Sequence, residues 1–137
     1  MKLGVIIVTY NRIELLKECI INCINQVVKF DKIFVVNNAS ADGTTEYLDN
    51  LVYDNVIVIN SKENLGGAGG FFEGIKLALK YDLDYLLLID DDAILDVNYN
   101  YEILKHIKND KEIYAFSGTV ITDGKIQKEH RKHLKKG

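Results

Sequence analysis

Three adjacent carboxylates, Asp90, Asp91 and Asp92, are the residues of this chain best suited to chemistry. They directly follow the apolar run at residues 85–89, whose length and polar boundaries are typical of a buried strand in a parallel sheet. Carboxylates this close together repel one another and are costly to desolvate, so a cation or a hydrogen-bonding ligand must compensate for their charge.

The position of this triplet indicates a ligand site rather than a solvated acidic loop. Open α/β sheets bind ligands in the crevice beyond the carboxyl ends of their strands, which is where these residues are predicted to lie. A hard divalent ion held by one or two carboxylates, with phosphate oxygens as its remaining ligands, fits this arrangement.

Two further polar segments follow predicted strands. The first is Thr9-Tyr10-Asn11-Arg12, in which an aromatic ring can stack on a base while Asn and Arg supply hydrogen-bond donors. The second begins at Asn37 and covers residues 37–40, whose amides can pair with a nucleobase edge or a ribose hydroxyl. Each segment alone is weak evidence, because such residues are common in loops and helix caps. Their coincidence with the acidic triplet at one sheet edge is a stronger signal.

A glycine-rich segment covers residues 64–70, and we predict a loop over residues 63–70 before a helix at residues 71–80. Such a loop lets the backbone approach a ligand closely, and the following helix start favours an anion. The segment is not a dinucleotide-binding fingerprint, because Phe72 stands where the last glycine is required. It is not a P-loop either, because Ile75 stands in place of the lysine.

Strand and helix patterns alternate along the chain, which predicts an α/β fold with a mostly parallel, right-handed sheet. Strands are predicted at residues 3–9, 32–36, 55–60 and 84–89, and helices at 14–28, from about 44, at 71–80 and at 99–108. Ser40 or Asp42 can cap the second helix. Residues 113–122 are predicted to be extended, and Asp123-Gly124 to form a hairpin turn into residues 125–127. The first helix is expected to bury one face, formed by Leu15, Leu16, Cys19, Ile20, Cys23, Ile24 and Val27.

Composition and charge are those of one soluble domain. The chain has 137 residues, of which 47% are hydrophobic and 27% charged. Its net charge of -3 argues against a nucleic-acid-binding protein, although basic residues cluster at positions 128–136. Cys19 and Cys23 are predicted to be core residues of a reduced, cytoplasmic protein. We find neither a signal peptide nor a run of about 18 apolar residues that could span a membrane.

Taken together, residues 8–12, 35–44, 64–71 and the acidic triplet resemble family 2 glycosyltransferases of the GT-A fold, in the family's order and spacing. The glycine-rich segment is most similar to the branch of rhamnosyltransferases and galactofuranosyltransferases. The resemblance implies a Rossmann-like, mostly parallel sheet flanked by helices, with a C-terminally short chain. It further implies a nucleotide-sugar-binding domain at residues 1–127, followed by a basic tail at 128–137.

The resemblance also implies a function: transfer of a sugar, with inversion, from a nucleotide-diphosphate sugar to an acceptor hydroxyl. Asp90 and Asp92 would bind Mg²⁺ or Mn²⁺, with Asp92 on the cation that bridges the diphosphate and Asp90 or Asp91 on the cation or the ribose. Tyr10 would lie by the base, and Asn38 occupies the position where many members place an Asp against uracil. The residues expected at the nucleotide-sugar donor are Val8, Tyr10, Asn11, Asn38, Asn64, Gly66, Gly67, Asp90 and Asp91.

The expected partners are a UDP- or dTDP-sugar donor and a saccharide or lipid-linked acceptor, in the biosynthesis of a cell-surface polysaccharide. The expected location is cytoplasmic, at the inner face of the membrane, where the basic tail could contact anionic lipid. No nucleic acid is expected as a partner. Self-association is a further expectation, because a short sheet exposes apolar surface.

The general base is not identified. Only Asp123 and Glu129 remain as carboxylates near the end of the chain, and neither lies in the family's motif. His130 and His133 are interpreted as part of a solvated tail. Two alternatives to an active transferase are therefore a catalytically incomplete nucleotide-sugar-binding module and a non-catalytic interaction module. A nucleotidyltransferase is disfavoured, because the first strand is not followed by a glycine-rich basic loop.

Overall fold

The structure is a computed structural model that describes residues 1–110, 112, 115 and 117–126. Strands and helices alternate through this part of the chain, as predicted. Their bounds are β1 Leu3–Thr9, α1 Ile13–Ile24, β2 Lys32–Asn37, α2 Thr44–Asp49, β3 Val56–Asn60, α3 Gly66–Ala78, β4 Tyr85–Asp90 and α4 Tyr99–Asn109.

The four strands form one parallel sheet in the order β3-β2-β1-β4, which confirms the predicted fold class. The chain adds β2 and β3 on one side of β1 and then returns to place β4 on the other side. Thr9 pairs in register with Asn37, and Val8 pairs with Asp90, so the carboxyl ends of β2, β1 and β4 are level. Ligands of open α/β sheets bind at such a reversal of strand order.

Two apolar layers cover the sheet, one on each face. Val5 and Ile7 of β1 pack in a cluster with the buried face of α1, whereas Ile6 and Val8 pack in the cluster that includes Ala78 of α3. Burial on both faces explains why β1 is a continuous apolar run rather than an alternating pattern. The helices therefore fix both faces of β1, which carries one part of the candidate site at its end.

Helix α1 is shorter than predicted. It ends at Ile24 instead of residue 28, and the predicted buried positions Leu15 and Val27 are 43% and 61% exposed. Val27 lies beyond the helix, where its backbone N–H donates to the carbonyl of Val97. Cys19 and Cys23 are free and fully buried, as predicted. A hydrogen bond with Cys23, together with burial, raises the pKa of the Cys19 thiol.

The predicted glycine-rich loop is wrong in its second half, because α3 begins at Gly66 and contains most of the glycines. A Cβ atom at Gly70 would lie 2.5 Å from Cγ1 of Val8, and one at Gly74 would lie 2.5 Å from Cγ2 of Ile6. Glycine at these positions lets α3 pack closely against the sheet. Gly70 and Gly74 thus lie on the face of α3 that packs against the sheet, and Gly70 belongs to the segment for which the sequence predicted a loop.

After α4, the hairpin turn at Asp123-Gly124 is confirmed. Both residues have positive φ angles, 51° and 71°, and Thr122 and Lys125 form an antiparallel bridge across the turn. Residues 117–121 have no regular secondary structure, so the extended segment at 113–122 is not confirmed there. Outside the described residues lie positions 113, 114 and 116 of that segment, Gln127, Glu129 and the basic tail with its two histidines. Within the described part of the chain, no helix combines the length and apolar character needed to cross a membrane.

Candidate functional site

The order of the strands brings the three predicted polar segments together. Strand β1 lies between β2 and β4, so the segment after Thr9 has the segment after Asn37 on one side and the acidic triplet on the other. This juxtaposition at the carboxyl edge is the one expected of a ligand crevice in an open α/β sheet. The crevice has a charged side at β4 and an amide-rich side at β2.

The three aspartates differ in burial and in their partners. Asp91 is only 4% exposed, and its Oδ2 accepts a hydrogen bond of 2.8 Å from the Thr9 hydroxyl. Its other oxygen, Oδ1, accepts from Nη1 of Arg12 at 3.1 Å. Asp90 and Asp92 are exposed. The middle carboxylate is thus buried in the protein, and the outer two are accessible to a ligand.

Arg12 joins β1 to the acidic triplet. The same Nη1 atom that contacts Asp91 lies 3.5 Å from Oδ2 of Asp92. The Arg12 side chain is 51% exposed, so it is open to solvent as well as paired with the two carboxylates. The sequence indicates Arg12 as a hydrogen-bond donor but does not indicate that it forms an ion pair with the triplet.

The acidic triplet suits a divalent cation that is bound by a phosphate as well as by the protein. Among the described residues, no group of three or more His, Cys, Asp and Glu side chains is arranged to hold a metal ion. The exposed Asp90 and Asp92 nevertheless offer hard carboxylate oxygens, and Mg²⁺ is commonly held by one or two carboxylates plus substrate phosphates and water. The donor set therefore suits a cation that arrives with a phosphate ligand, not one held by protein ligands alone.

On the β2 side, Asn37 organises the loop. Its Nδ2 donates to the hydroxyl of Thr45 and to Oδ1 of Asn60, both at 2.9 Å. Its Oδ1 accepts from the backbone N–H of Ser40 at 3.1 Å. Asn37 is buried and its amide is fully used, which makes it a structural residue of this edge.

Asn38 has a different hydrogen-bond pattern. Its side chain is buried, and its Nδ2 donates to the carbonyl oxygen of Gly66 at 3.0 Å. Its Oδ1 is buried and accepts no hydrogen bond from any described residue. A buried acceptor without a donor is costly, typically about 1–3 kcal/mol. An N–H group of a ligand would remove that cost.

Asn11 connects the β1 and β2 loops. Its backbone N–H donates to the Ser40 hydroxyl at 3.0 Å, and its Oδ1 accepts from the N–H of Ala41 at 2.7 Å. It has a φ of 50°, a conformation that Asn tolerates better than most residues. The side-chain oxygen of Asn11 is thus already engaged, which leaves its amide nitrogen as the group that could face a ligand.

Asp42 completes the link between these loops. One carboxylate oxygen accepts from the backbone N–H of Ile13 at the start of α1, and the other from the N–H and hydroxyl of Thr44 at the start of α2. The Thr44 hydroxyl is the main group that lowers the pKa of Asp42. The predicted caps are wrong, because the N-cap of α2 is Gly43 and no side chain caps it. Asp42 lies one residue earlier and binds Thr44, whereas Ser40 binds Asn11.

The remaining predicted ligand residues lie at the rim. Tyr10 is 46% exposed, so one ring face is available for stacking. Asn64 accepts a hydrogen bond from the N–H of Gly66 through its Oδ1 at 2.9 Å, which orders the start of α3. No atom lies within 4 Å of a Cβ built at Gly66 or Gly67, so the backbone there is open to close approach.

A cavity of about 1150 Å³ lies beside the crevice, along β4. Leu88, Asp90, Asp92 and Tyr99 line it on one side, and residues 117–123 line it on the other. It reaches the two exposed aspartates, but its lining does not include Tyr10 or Asn38. The carboxylates therefore lie between this cavity and the amide-rich side of the crevice.

Comparisons with known proteins agree with this architecture. The chain is 28% identical over 110 residues to the poly-beta-1,6-N-acetyl-D-glucosamine synthase of Staphylococcus aureus, an alignment that covers 80% of this chain and 26% of that protein. The crystal structure of S. aureus TarS 1-349 in complex with UDP-GlcNAc matches 80% of this chain and 32% of that one, with 26% identity and a TM-score of 0.64.

A third similar protein is the mannosyltransferase PcManGT from Pyrobaculum calidifontis, solved in complex with GDP-Man and Mn²⁺. It is 26% identical, with a TM-score of 0.51 over 68% of this chain and 28% of that one. The chain thus spans about a quarter of the length of the curated synthase, 26%. The family model "Glycosyl transferase family 2" matches residues 4–136, and the chain therefore belongs to glycosyl transferase family 2.

Proposed function

We propose that this chain binds the nucleotide-diphosphate sugar of a glycosyltransferase, with a UDP- or dTDP-sugar as donor. The observation that supports this most strongly is that one sheet edge carries a buried acceptor without a donor just after β2 and exposed carboxylates at the end of β4. These strands are two positions apart in the sheet, about 10 Å at the usual strand spacing. A nucleoside diphosphate can span that distance, with its base at Asn38 and its phosphates towards Asp90 and Asp92.

The side-chain oxygen of Asn38 is the group that selects the base. Because Nδ2 of Asn38 is bound to Gly66, the atom left for a ligand is Oδ1, which can only accept. Uracil and thymine present a ring N–H at N3, whereas cytosine has an acceptor at that atom. Tyr10 stacks on the base, Val8 supports it from β1, and the exposed glycines 66 and 67 allow close approach. The TarS complex with UDP-GlcNAc is consistent with this choice.

The phosphates lie on the β4 side. Asp90 and Asp92 would hold Mg²⁺ or Mn²⁺, as the donor set permits, and PcManGT was solved with Mn²⁺. When bound, such a cation neutralises charge on the leaving diphosphate as a Lewis acid. Asp91 stays inside, where Thr9 and Arg12 fix its two oxygens and so orient the segment that carries its neighbours.

The reaction proposed is transfer with inversion, in which an acceptor hydroxyl attacks the sugar in line with the departing diphosphate. The acceptor is a saccharide or a lipid-linked saccharide in the synthesis of a cell-surface polysaccharide, at the cytoplasmic face of the membrane. The synthase relative supports a polysaccharide product. The narrower assignment to the rhamnosyltransferase and galactofuranosyltransferase branch stays a prediction, as do the domain boundary at residue 127 and the tail.

The proposal is tested by calorimetric titration of UDP, dTDP and CDP, each with and without Mn²⁺. We expect UDP or dTDP to bind more tightly than CDP, and Mn²⁺ to tighten binding at least about 10-fold. Failure of all three nucleotides to bind would contradict the proposal.

Transfer is tested separately, by release of UDP or dTDP from the donor sugar with and without acceptor saccharides. Nucleotide binding combined with no release would favour the alternative of a catalytically incomplete donor-binding module.

A further inference from the structure

We propose that Arg12 is an exchangeable counter-ion: it pairs with Asp92 in the ligand-free protein and moves to the donor diphosphate on binding. Its contact with Asp91 persists throughout. The inference rests on the proposed function, because it assumes that a diphosphate binds at the β4 side of the crevice.

The two contacts of Arg12 differ in strength. Its Nη1 lies 3.1 Å from Oδ1 of Asp91, whose side chain is 5% exposed. The same nitrogen lies 3.5 Å from Oδ2 of Asp92, whose side chain is 54% exposed. A long ion pair between two exposed groups contributes little in water. A hydrogen bond to a buried carboxylate is stronger, and losing it would leave that charge uncompensated. The contact with Asp92 is therefore the one that can open.

Asp91 keeps Arg12 in place while that exchange occurs. The Thr9 hydroxyl occupies one oxygen of Asp91, so the guanidinium is the partner of the other. A guanidinium carries five N–H donors in a planar fork, and here a single nitrogen makes both carboxylate contacts. The remaining donors of this half-exposed group suit the oxygens of a diphosphate, which Arg binds in a bidentate manner.

The proposal predicts effects of opposite sign. Arg12 competes with a divalent cation for Asp92 and repels it, so loss of the positive charge should tighten the binding of Mn²⁺ alone. Arg12 also attracts the diphosphate, so the same change should weaken the binding of UDP alone. A residue that merely supported the fold of this edge would weaken both.

The experiment compares wild type with Arg12→Met, which keeps the aliphatic stem, and Arg12→Lys, which keeps the charge but not the fork. Free Mn²⁺ is measured by electron paramagnetic resonance without nucleotide, and UDP binding by calorimetry without metal. For Arg12→Met we expect Mn²⁺ to bind about 5-fold tighter and UDP about 10-fold weaker. For Arg12→Lys we expect near-wild-type Mn²⁺ binding and weaker UDP binding. Lys17→Met, which removes an exposed cation paired with Glu14 on α1, is the control and should change neither.

Weaker binding of both probes, or no change in either, in the Arg12→Met protein would overturn the inference. If the Arg12→Met protein does not fold, as judged by thermal melting, the Arg12→Lys protein is used instead. A UDP affinity of Arg12→Lys equal to that of wild type would overturn the inference. Failure of wild type to bind UDP even with Mn²⁺ contradicts the proposed function itself and removes this inference with it, so the two failures are distinguishable.

Discussion

The two sides of the crevice are held together by different kinds of interaction. On the β4 side, Arg12 pairs with the buried Asp91 and, at a longer distance, with the exposed Asp92. On the β2 side, the neutral amides of Asn37 and Asn38 are buried and donate hydrogen bonds to α2, to the end of β3 and to α3. The same sheet edge thus combines a charged half, which includes a long and exposed ion pair, with a neutral and buried half.

This difference indicates that the two sides have separate roles in ligand binding. The exposed ion pair between Arg12 and Asp92 is weak, so it can open for a phosphate or a cation at little cost in free energy. A buried amide with one fixed bond and one free acceptor can distinguish bases, because the wrong base leaves that acceptor unpaired. Affinity and metal dependence should therefore depend on β4, and base selectivity on β2.

The strongest way to test these separate roles is to remove the exposed charge with Asp92→Asn. Because this change is nearly isosteric, we expect the fold to persist while UDP affinity in the presence of Mn²⁺ falls about 100-fold. Without Mn²⁺, UDP affinity should rise slightly, because the change releases Arg12 and removes a negative charge beside the diphosphate. Asp82→Asn is the matched control, since Asp82 precedes β4 at the opposite end of the sheet and pairs with Lys2. Equal losses in the two variants, measured by calorimetry, would mean that Asp92 has no special role.

The close packing of α3 against the β2 side is tested by Gly70→Ala. The new methyl group would lie 2.5 Å from Cγ1 of Val8 and 3.1 Å from Nδ2 of Asn38, so α3 must shift away from the sheet. We expect the free energy of unfolding to fall by about 1–3 kcal/mol in urea denaturation.

Gly67→Ala, at a position with nothing within 4 Å of the added Cβ, is the control for that change. It should not lower stability, because Ala favours a helix over Gly by about 1 kcal/mol. It should instead weaken UDP binding if the nucleotide lies against the start of α3. The packing account would be wrong if both variants were equally stable.

Base selectivity is tested by Asn38→Ala. Wild type should prefer UDP to CDP about 10-fold, the scale of one hydrogen bond to a buried group. The variant should bind the two nucleotides equally. The ratio is informative even if the variant loses stability, because both affinities are measured on the same protein. If the variant still preferred UDP to CDP, a group other than Asn38 would select the base.

The smallest expected effect concerns Asp42, which joins α1 and α2 behind the crevice. Asp42→Ala should lower the free energy of unfolding by about 1 kcal/mol at neutral pH, because the hydrogen bonds that the carboxylate accepts from Ile13 and Thr44 are lost. Hydrogen bonding lowers the pKa of Asp42 in the folded state, so its contribution is complete above the ordinary value of 3.8 and is lost as pH falls through the lower folded value. Urea titrations of both proteins at several pH values should converge in acid. A constant difference across that range would contradict this role.

The sequence predicts the sheet better than it predicts the helices. The observed β1, Leu3–Thr9, has the predicted bounds, because burial on both faces leaves an uninterrupted apolar run that polar residues end abruptly. The start of α3 was missed, because glycine usually indicates a turn. Two glycines of the helix are required by tertiary packing instead: Gly70 faces Val8 and Gly74 faces Ile6, and both partners are distant in sequence.

The candidate site shows the same limit. The acidic triplet and the loop after Asn37 are visible in the sequence, because several polar residues follow an apolar run. That Asp91 is the buried member, and that Thr9 and Arg12 are its partners, depends on the pairing of Val8 with Asp90. That register is set by contacts between residues about 80 positions apart, such as the 82 between Thr9 and Asp91, which no local pattern encodes.

We infer above all that a nucleoside diphosphate occupies the crevice between the β2 side and the β4 side. The most direct test is nuclear magnetic resonance of the isotopically labelled protein titrated with UDP and diamagnetic Mg²⁺. We predict shifts of the Asn38 side-chain amide, the backbone amides of Gly66 and Gly67, and the guanidinium of Arg12, saturating together. Shifts confined to residues that line the cavity along β4, such as Leu88 and Val120, with Asn38 unchanged, would contradict it.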